Sequence, residues 1–141
     1  MKKENILRTG AGVILTCVIV TVLFVMKNGM PVFGAPNPRD VERVTVSWAH
    51  GETADYTDPE KIELAVKLIN SLNYQPFTQV PENSREVGPD VTITYIMKDG
   101  KKLTAAANWI TGWWNGEARA LKEPDMFVNL TEGIFHGERQ E

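Results

Sequence analysis

Seventeen consecutive residues, Gly10 to Met26, carry no charge, and no other feature constrains this chain as strongly. At about 1.5 Å per residue, a helix of that length reaches roughly 25 Å, close to the thickness of a hydrocarbon core. Ile14, Leu15, Val18, Ile19, Leu23 and Phe24 are typical of the run, and nothing more polar than Thr16 or Thr21 interrupts it. A core helix of a soluble domain would keep a polar face, and this one has none. Lys2, Lys3 and Arg8 precede the run and Lys27 closes it. The positive-inside rule then leaves residues 1–9 as a cytoplasmic tail, sets residues 10–27 as a transmembrane signal anchor and exports the rest. The competing reading is a secreted protein cleaved near Gly34. A signal h-region is roughly 7–15 residues, and the greater length here favours an uncleaved anchor. Ile14-Leu15-Thr16-Cys17 has the outline of a lipobox. Thr16 is large for the position before a lipidated cysteine, however, and the apolar run continues nine residues beyond Cys17. Cys17 therefore reads as a small apolar residue facing lipid.

The exported part is large enough for one domain with one core. It holds no cysteine, so it has no disulfide staples, no thiol nucleophile and no cysteine-based zinc site. Its eleven Lys and Arg stand against seventeen Asp and Glu, a net charge near −6, where the whole chain is −3. Such a field repels nucleic acid, and no nucleic-acid partner is expected. Lys98, Lys101 and Lys102 cluster only at a hairpin tip, where they read as solubilising turn residues.

Residues 28–40 form an extended linker, because Gly29, Pro31, Gly34, Pro36 and Pro38 deny it regular structure. The α+β domain is expected over residues 41–136, with residues 137–141 frayed. Val44, Val46 and Trp48 alternate with Arg43, Thr45 and Ser47, the period of a half-buried strand over Val41–Ala49. His50 to Tyr56 reads as a polar loop. Thr57-Asp58-Pro59-Glu60 is a helix start, with Asp58 as N-cap and Pro59 in the first turn, or Thr57 and Glu60 as a capping box. Ile62, Ala65, Val66, Ile69 and Leu72 give that helix one apolar face. Gln75 to Pro89 is expected to be mostly loop, with a short edge strand over Phe77–Val80.

Val91, Ile93, Tyr95 and Met97 alternate, as do Leu103, Ala105, Ala107 and Trp109. A two-residue turn at Asp99-Gly100 would oppose apolar and polar side chains. A three-residue loop, Lys98-Asp99-Gly100, pairs Tyr95 with Leu103 and Ile93 with Ala105 and keeps one face apolar. Asn115-Gly116 predicts a type I′ hairpin that pairs Trp113 with Ala118 and Trp114 with Glu117. By parity Trp113 then joins Trp109 toward the core, and Trp114 turns to the other face unless Gly112 introduces a bulge. A last helix is expected from Pro124, with Phe127, Leu130 and Ile134 on one side and Gly133 at its C-cap. The expected fold is α+β: an antiparallel sheet of four to five strands, covered on one face by the amphipathic helix and the short C-terminal helix, behind an N-terminal transmembrane helix.

Chemistry has few candidates. The only histidines are His50 and His136. His50-Gly51-Glu52 with Asp55 and Asp58 lacks the spacing of an EF-hand or a zinc motif, and no phosphate loop is present. No metal, cofactor or enzymatic activity is expected. Trp109, Trp113 and Trp114 lie within six residues of one another. Trp combines an apolar face with one N–H donor, which suits sugar stacking and protein contacts. These three are the candidate ligand- or partner-binding residues, with Trp114 the one expected on a wet face.

The export segment, the Thr-Asp-Pro-Glu-Lys-Ile helix start, the Leu-Ile-Asn-Ser-Leu-Asn-Tyr helix end and the Lys-Asp-Gly-Lys hairpin together resemble small exported domains of Gram-positive bacteria. Those are membrane-anchored or lipoprotein-like and of unknown function. The resemblance covers residues 41 to about 130, and it implies an extracytoplasmic α+β domain with no assigned activity. The expectation is a membrane-anchored extracytoplasmic binding or interaction module, accessory or sensory, with the membrane and another envelope protein or a wall glycan as partners. The alternatives are a carbohydrate or cell-wall-fragment binder using an exposed tryptophan, and an inhibitor of a secreted hydrolase.

Overall fold

The computed structural model describes residues 2–136; the tail 137–141, expected to fray, lies outside the described residues. Helix α1 (Lys2–Asn28) is continuous and buries none of its residues. It is long and apolar enough to cross a membrane. Such a helix is compatible with a single-pass membrane anchor or a signal sequence. It stops at Gly29, whose positive φ of 76° reverses the chain while its N–H still donates to Val25 O (2.8 Å). The Lys122 side chain packs against Gly29 so closely that a Cβ there would lie 2.9 Å from Lys122 Cβ. Beyond it the chain is extended but docked. Met30 pairs with Tyr74, Trp114 Nε1–H donates to Phe33 O (2.8 Å), and Pro38–Asp40 forms a 3-10 turn capped by the Asn37 side chain.

The domain is α+β, built on a six-stranded sheet in which every neighbouring pair is antiparallel. Strands β1 (Val41–Trp48), β2 (Thr53–Tyr56), β3 (Val91–Met97), β4 (Lys102–Ala107), β5 (Thr111–Trp114) and β6 (Glu117–Ala120) lie in the order β2-β1-β3-β4-β5-β6. The β3–β4 hairpin has the register that its alternation predicts: Tyr95 faces Leu103 and Ile93 faces Ala105. Gly100 sits at φ 89°, the left-handed residue that a three-residue loop requires. At the β5–β6 turn, Asn115 and Gly116 both have positive φ (50° and 84°), as a type I′ turn demands.

Helix α2 (Pro59–Lys67) follows Asp58 as expected, although the Asp58 side chain makes no capping bond. It tightens into a 3-10 turn over Leu68–Ser71. Ala65 of the helix, with Ile69 and Leu72 at the turn, shares one core with Val44, Val46, Ile93, Tyr95 and Ala105 of the sheet. The Tyr95 hydroxyl donates to Ala65 O (2.6 Å), so the one polar atom that this tyrosine carries into the core is satisfied.

Four expectations are corrected. The stretch read as a polar loop contains β2: Ala54 and Tyr56 pack toward the core, and the Thr45 hydroxyl donates to Asp55 Oδ1 (2.6 Å). In Thr53-Ala54-Asp55-Tyr56 the strand-favouring Thr53 and Tyr56 are offset by Ala54 and Asp55, so pairing with β1 decides that it is a strand. Phe77–Val80 is not a strand. Pro76 has no N–H to continue a ladder, and the chain turns away there. Within the expected loop, Glu82–Val87 forms helix α3. In the final helix, α4 (Met126–Phe135), the buried residues are Phe127, Val128, Thr131 and Phe135; Leu130 is exposed and Gly133 lies inside the helix. Two apolar stripes overlap in this segment. Docking selects the one that buries both phenylalanines, and the Thr131 hydroxyl is satisfied by Phe127 O (2.7 Å).

Candidate functional site

The three tryptophans do not converge. Ala105 opposes Trp114 and Ala106 opposes Trp113. Directly opposed residues share a face, so Trp114 lies on the core side with Ala105, and Trp113 lies on the other side. This reverses the expected orientations. Four residues connect Ala107 to its partner Gly112, and an even number of connecting residues inverts parity between two strands. Trp114 is half-buried against the core, and its indole N–H holds the incoming linker at Phe33. The small Ala105 leaves room for it. A hollow of about 160 Å³ beside Trp114 is lined by Val32, Phe33, Tyr74, Glu117 and Arg119, with the Arg119 guanidinium 4.8 Å from the centre of the Tyr74 ring. The linker thus occupies much of what Trp114 could offer a ligand.

Trp109 stands outside the sheet, on the β4–β5 connection, and is 57 % exposed beside Ile110 at 49 %. Asn108 holds this tip rigid. Its buried Oδ1 accepts from the N–H groups of Ile110 (3.0 Å) and Thr111 (2.8 Å). Its Nδ2 donates to the carbonyls of Ser84 (3.1 Å) and Gly88 (3.0 Å), and the Ser84 hydroxyl bonds the Thr111 hydroxyl. One asparagine therefore shapes the turn and ties α3 to it. The bond from the Ile110 N–H to the Asn108 side chain is an Asx-turn, for which an asparagine is the sequence signal, and reading strand β4 through to Trp109 hid it.

One concave surface along the sheet edge was not legible from the sequence. A cleft of about 440 Å³ runs along β6, between Glu117–Ala120 and a second wall made by Gln75, Thr78, Gln79, Val80, Glu82 and Arg85. Strand β6 is the last of the sheet. Residues 73–75 cover only its end: Gln75 N–H donates to Ala120 O (2.7 Å) and Lys122 N–H to Asn73 O (2.8 Å). Backbone groups alternate in direction along a strand. Because the Ala120 carbonyl points outward, the N–H and C=O of Ala118 do so as well. Among the described residues, no backbone group pairs with them, because the second wall diverges at Pro76. The cleft is therefore an open strand edge with small side chains, Ala118 and Ala120, and charges of both signs at its rim.

Neither histidine builds a centre. His50 Nε2 lies 2.9 Å from Glu52 Oε2, and His136 meets the edge of Trp48 at 5.5 Å between ring centres. Among the described residues, no three His, Cys, Asp or Glu side chains are grouped to hold a cation. Compared with known proteins, the chain matches no family model, no curated protein and no solved structure.

Proposed function

We propose that this protein is a membrane-anchored extracytoplasmic interaction module that captures an extended segment of another envelope polypeptide as an added strand on β6. The open Ala118 edge inside a 440 Å³ cleft carries this reading. An unpaired strand edge is a template for a further strand; main-chain bonds supply affinity, and pockets for alternate side chains supply selectivity. With Ala120 taken by Gln75, residues 117–119 of β6 offer roughly 10 Å of edge, enough for about three residues of a guest at 3.4 Å each. Glu82 and Arg85 line the cleft and Glu117 and Arg119 pair with each other at its rim, which suits a polar segment of mixed charge. A glycan platform would want several aromatic faces on one surface. The three tryptophans occupy three surfaces, which leaves that alternative with Trp109 alone.

The test is photo-crosslinking in cells from Thr78, across the cleft from Ala118, in the full-length chain and in Ala118→Pro. Proline at that position removes only an outward N–H, and edge strands tolerate it. The expected result is an adduct with one polypeptide that is lost in Ala118→Pro and kept in Glu117→Gln. An unchanged adduct in Ala118→Pro, or no polypeptide adduct at all, refutes strand addition.

A further inference from the structure

The helix and the exposed apolar tip belong to the same end of the domain. Three extended segments and the Asn108 turn lie side by side there: Met30 pairs with Tyr74, Tyr74 pairs with Leu121, and Leu121 N–H donates to Ile110 O (3.1 Å). At about 4.8 Å per neighbour, Ile110 lies roughly 14 Å from Met30, the second residue beyond α1. The junction is clamped. Lys122 Nζ donates to Met26 O (2.9 Å), and Phe77 (70 % exposed) flanks a small hollow with Val25 and Met26 of the last helical turns. A helix that ends in Met26-Lys27-Asn28 as it leaves a bilayer puts this row of segments at headgroup depth.

We infer that the Trp109–Ile110 tip, with Phe77, seats in the lipid interface beside α1 and so fixes the tilt of the domain on the membrane. Trp prefers that zone because its ring is apolar and its N–H is not. The tip is also preorganised: Asn108 has already ordered the loop, so insertion costs little further conformational entropy. Phe77 flanks the end of the helix and the tip lies three segments away, so the seat spans the whole row rather than a single point. The consequence for the β6 cleft is a fixed height, because Gln75 and Pro76 line it next to Phe77. The cleft then opens sideways just above the lipid surface, where a guest segment close to its own membrane anchor would arrive.

This inference rests on reading α1 as an anchor, and the experiment separates the two. Full-length protein and Trp109→Phe are reconstituted into vesicles of phosphatidylcholine and phosphatidylglycerol with brominated acyl chains. Trp109 is one of four tryptophans, so brominated lipid is expected to remove up to a quarter of the wild-type emission. Trp109→Phe, at an exposed site that leaves the fold intact, should lose that quenched share. Equal quenching in the two proteins, with both still floating with the vesicles, overturns the seat and leaves the anchor standing. Failure to float with the vesicles overturns both.

Discussion

Replacing Asn108 with alanine should unfold this domain more readily than any comparable polar substitution on its surface. The side chain accepts from the Ile110 and Thr111 N–H groups and donates to the Ser84 and Gly88 carbonyls, at 2.8–3.1 Å. The residue is 5 % exposed, and Thr111 and Ser84 are buried with it. Alanine leaves the buried Thr111 N–H with no partner, and the Ser84 carbonyl keeps only its bond within α3. A buried orphan costs about 1–3 kcal/mol and the lost bonds to Ser84, Gly88 and Ile110 add to it, while the groups nearer solvent recover much of their loss from water. A total near 3 kcal/mol follows, a large share of the roughly 5–15 kcal/mol that holds a domain folded. At about 4–8 °C per kcal/mol for a domain of this size, Tm should fall by more than about 10 °C. The assay is thermal unfolding of the full chain in detergent, followed by tryptophan emission, because α1 would keep its far-UV signal after the domain has melted. Asn83→Ala, on the exposed side of α3, is the control and should move stability by no more than about 0.5 kcal/mol. A fall in Tm no larger than the control's would refute the claim that Asn108 organises this end of the sheet.

Two further outcomes are expected. At Gly112, an added Cβ would lie 2.5 Å from Leu121 Cδ2 and 3.2 Å from Leu72 Cδ2, and both leucines are buried. Gly112→Ala should therefore cost about 1–3 kcal/mol, lowering the urea midpoint at constant slope; an unchanged midpoint would mean the leucines yield freely. Burial pushes the Tyr95 phenol far above its ordinary value. Since the folded pKa is the raised one, the contribution of Tyr95 is complete below pH ~10 and is lost above it, where only the unfolded chain ionises. Absorbance titration should find one of the three tyrosines silent until unfolding, and Tyr95→Phe should flatten the alkaline loss of stability; normal ionisation of all three in the folded protein contradicts this.

Much of the fold was legible because it is written in short-range signals. Asp99-Gly100 and Asn115-Gly116 need positive φ, and the alternation on either side leaves one register that keeps apolar residues together. Pro59 behind Asp58, with apolar residues at helical spacing, marks α2. The candidate site was less legible. Orientation of Trp113 and Trp114 depends on how many residues bridge Ala107 and Gly112, and that number follows from the Asn108 turn and its bonds to Ser84, twenty-four residues earlier. The β6 cleft depends on where the chain after Tyr74 parts from β6, which is a matter of two segments far apart in sequence.

The sequence by itself determined the apolar helix, the α+β class, the two hairpins and their registers, because each is set by neighbours within a few residues. Only the tertiary structure decided that Thr53–Tyr56 is a strand, which stripe of α4 is buried, which tryptophan faces the core and that β6 keeps an open edge. Those outcomes turn on contacts between distant segments, where free energy is gained by burying one surface rather than another, and local pattern offers both choices equally.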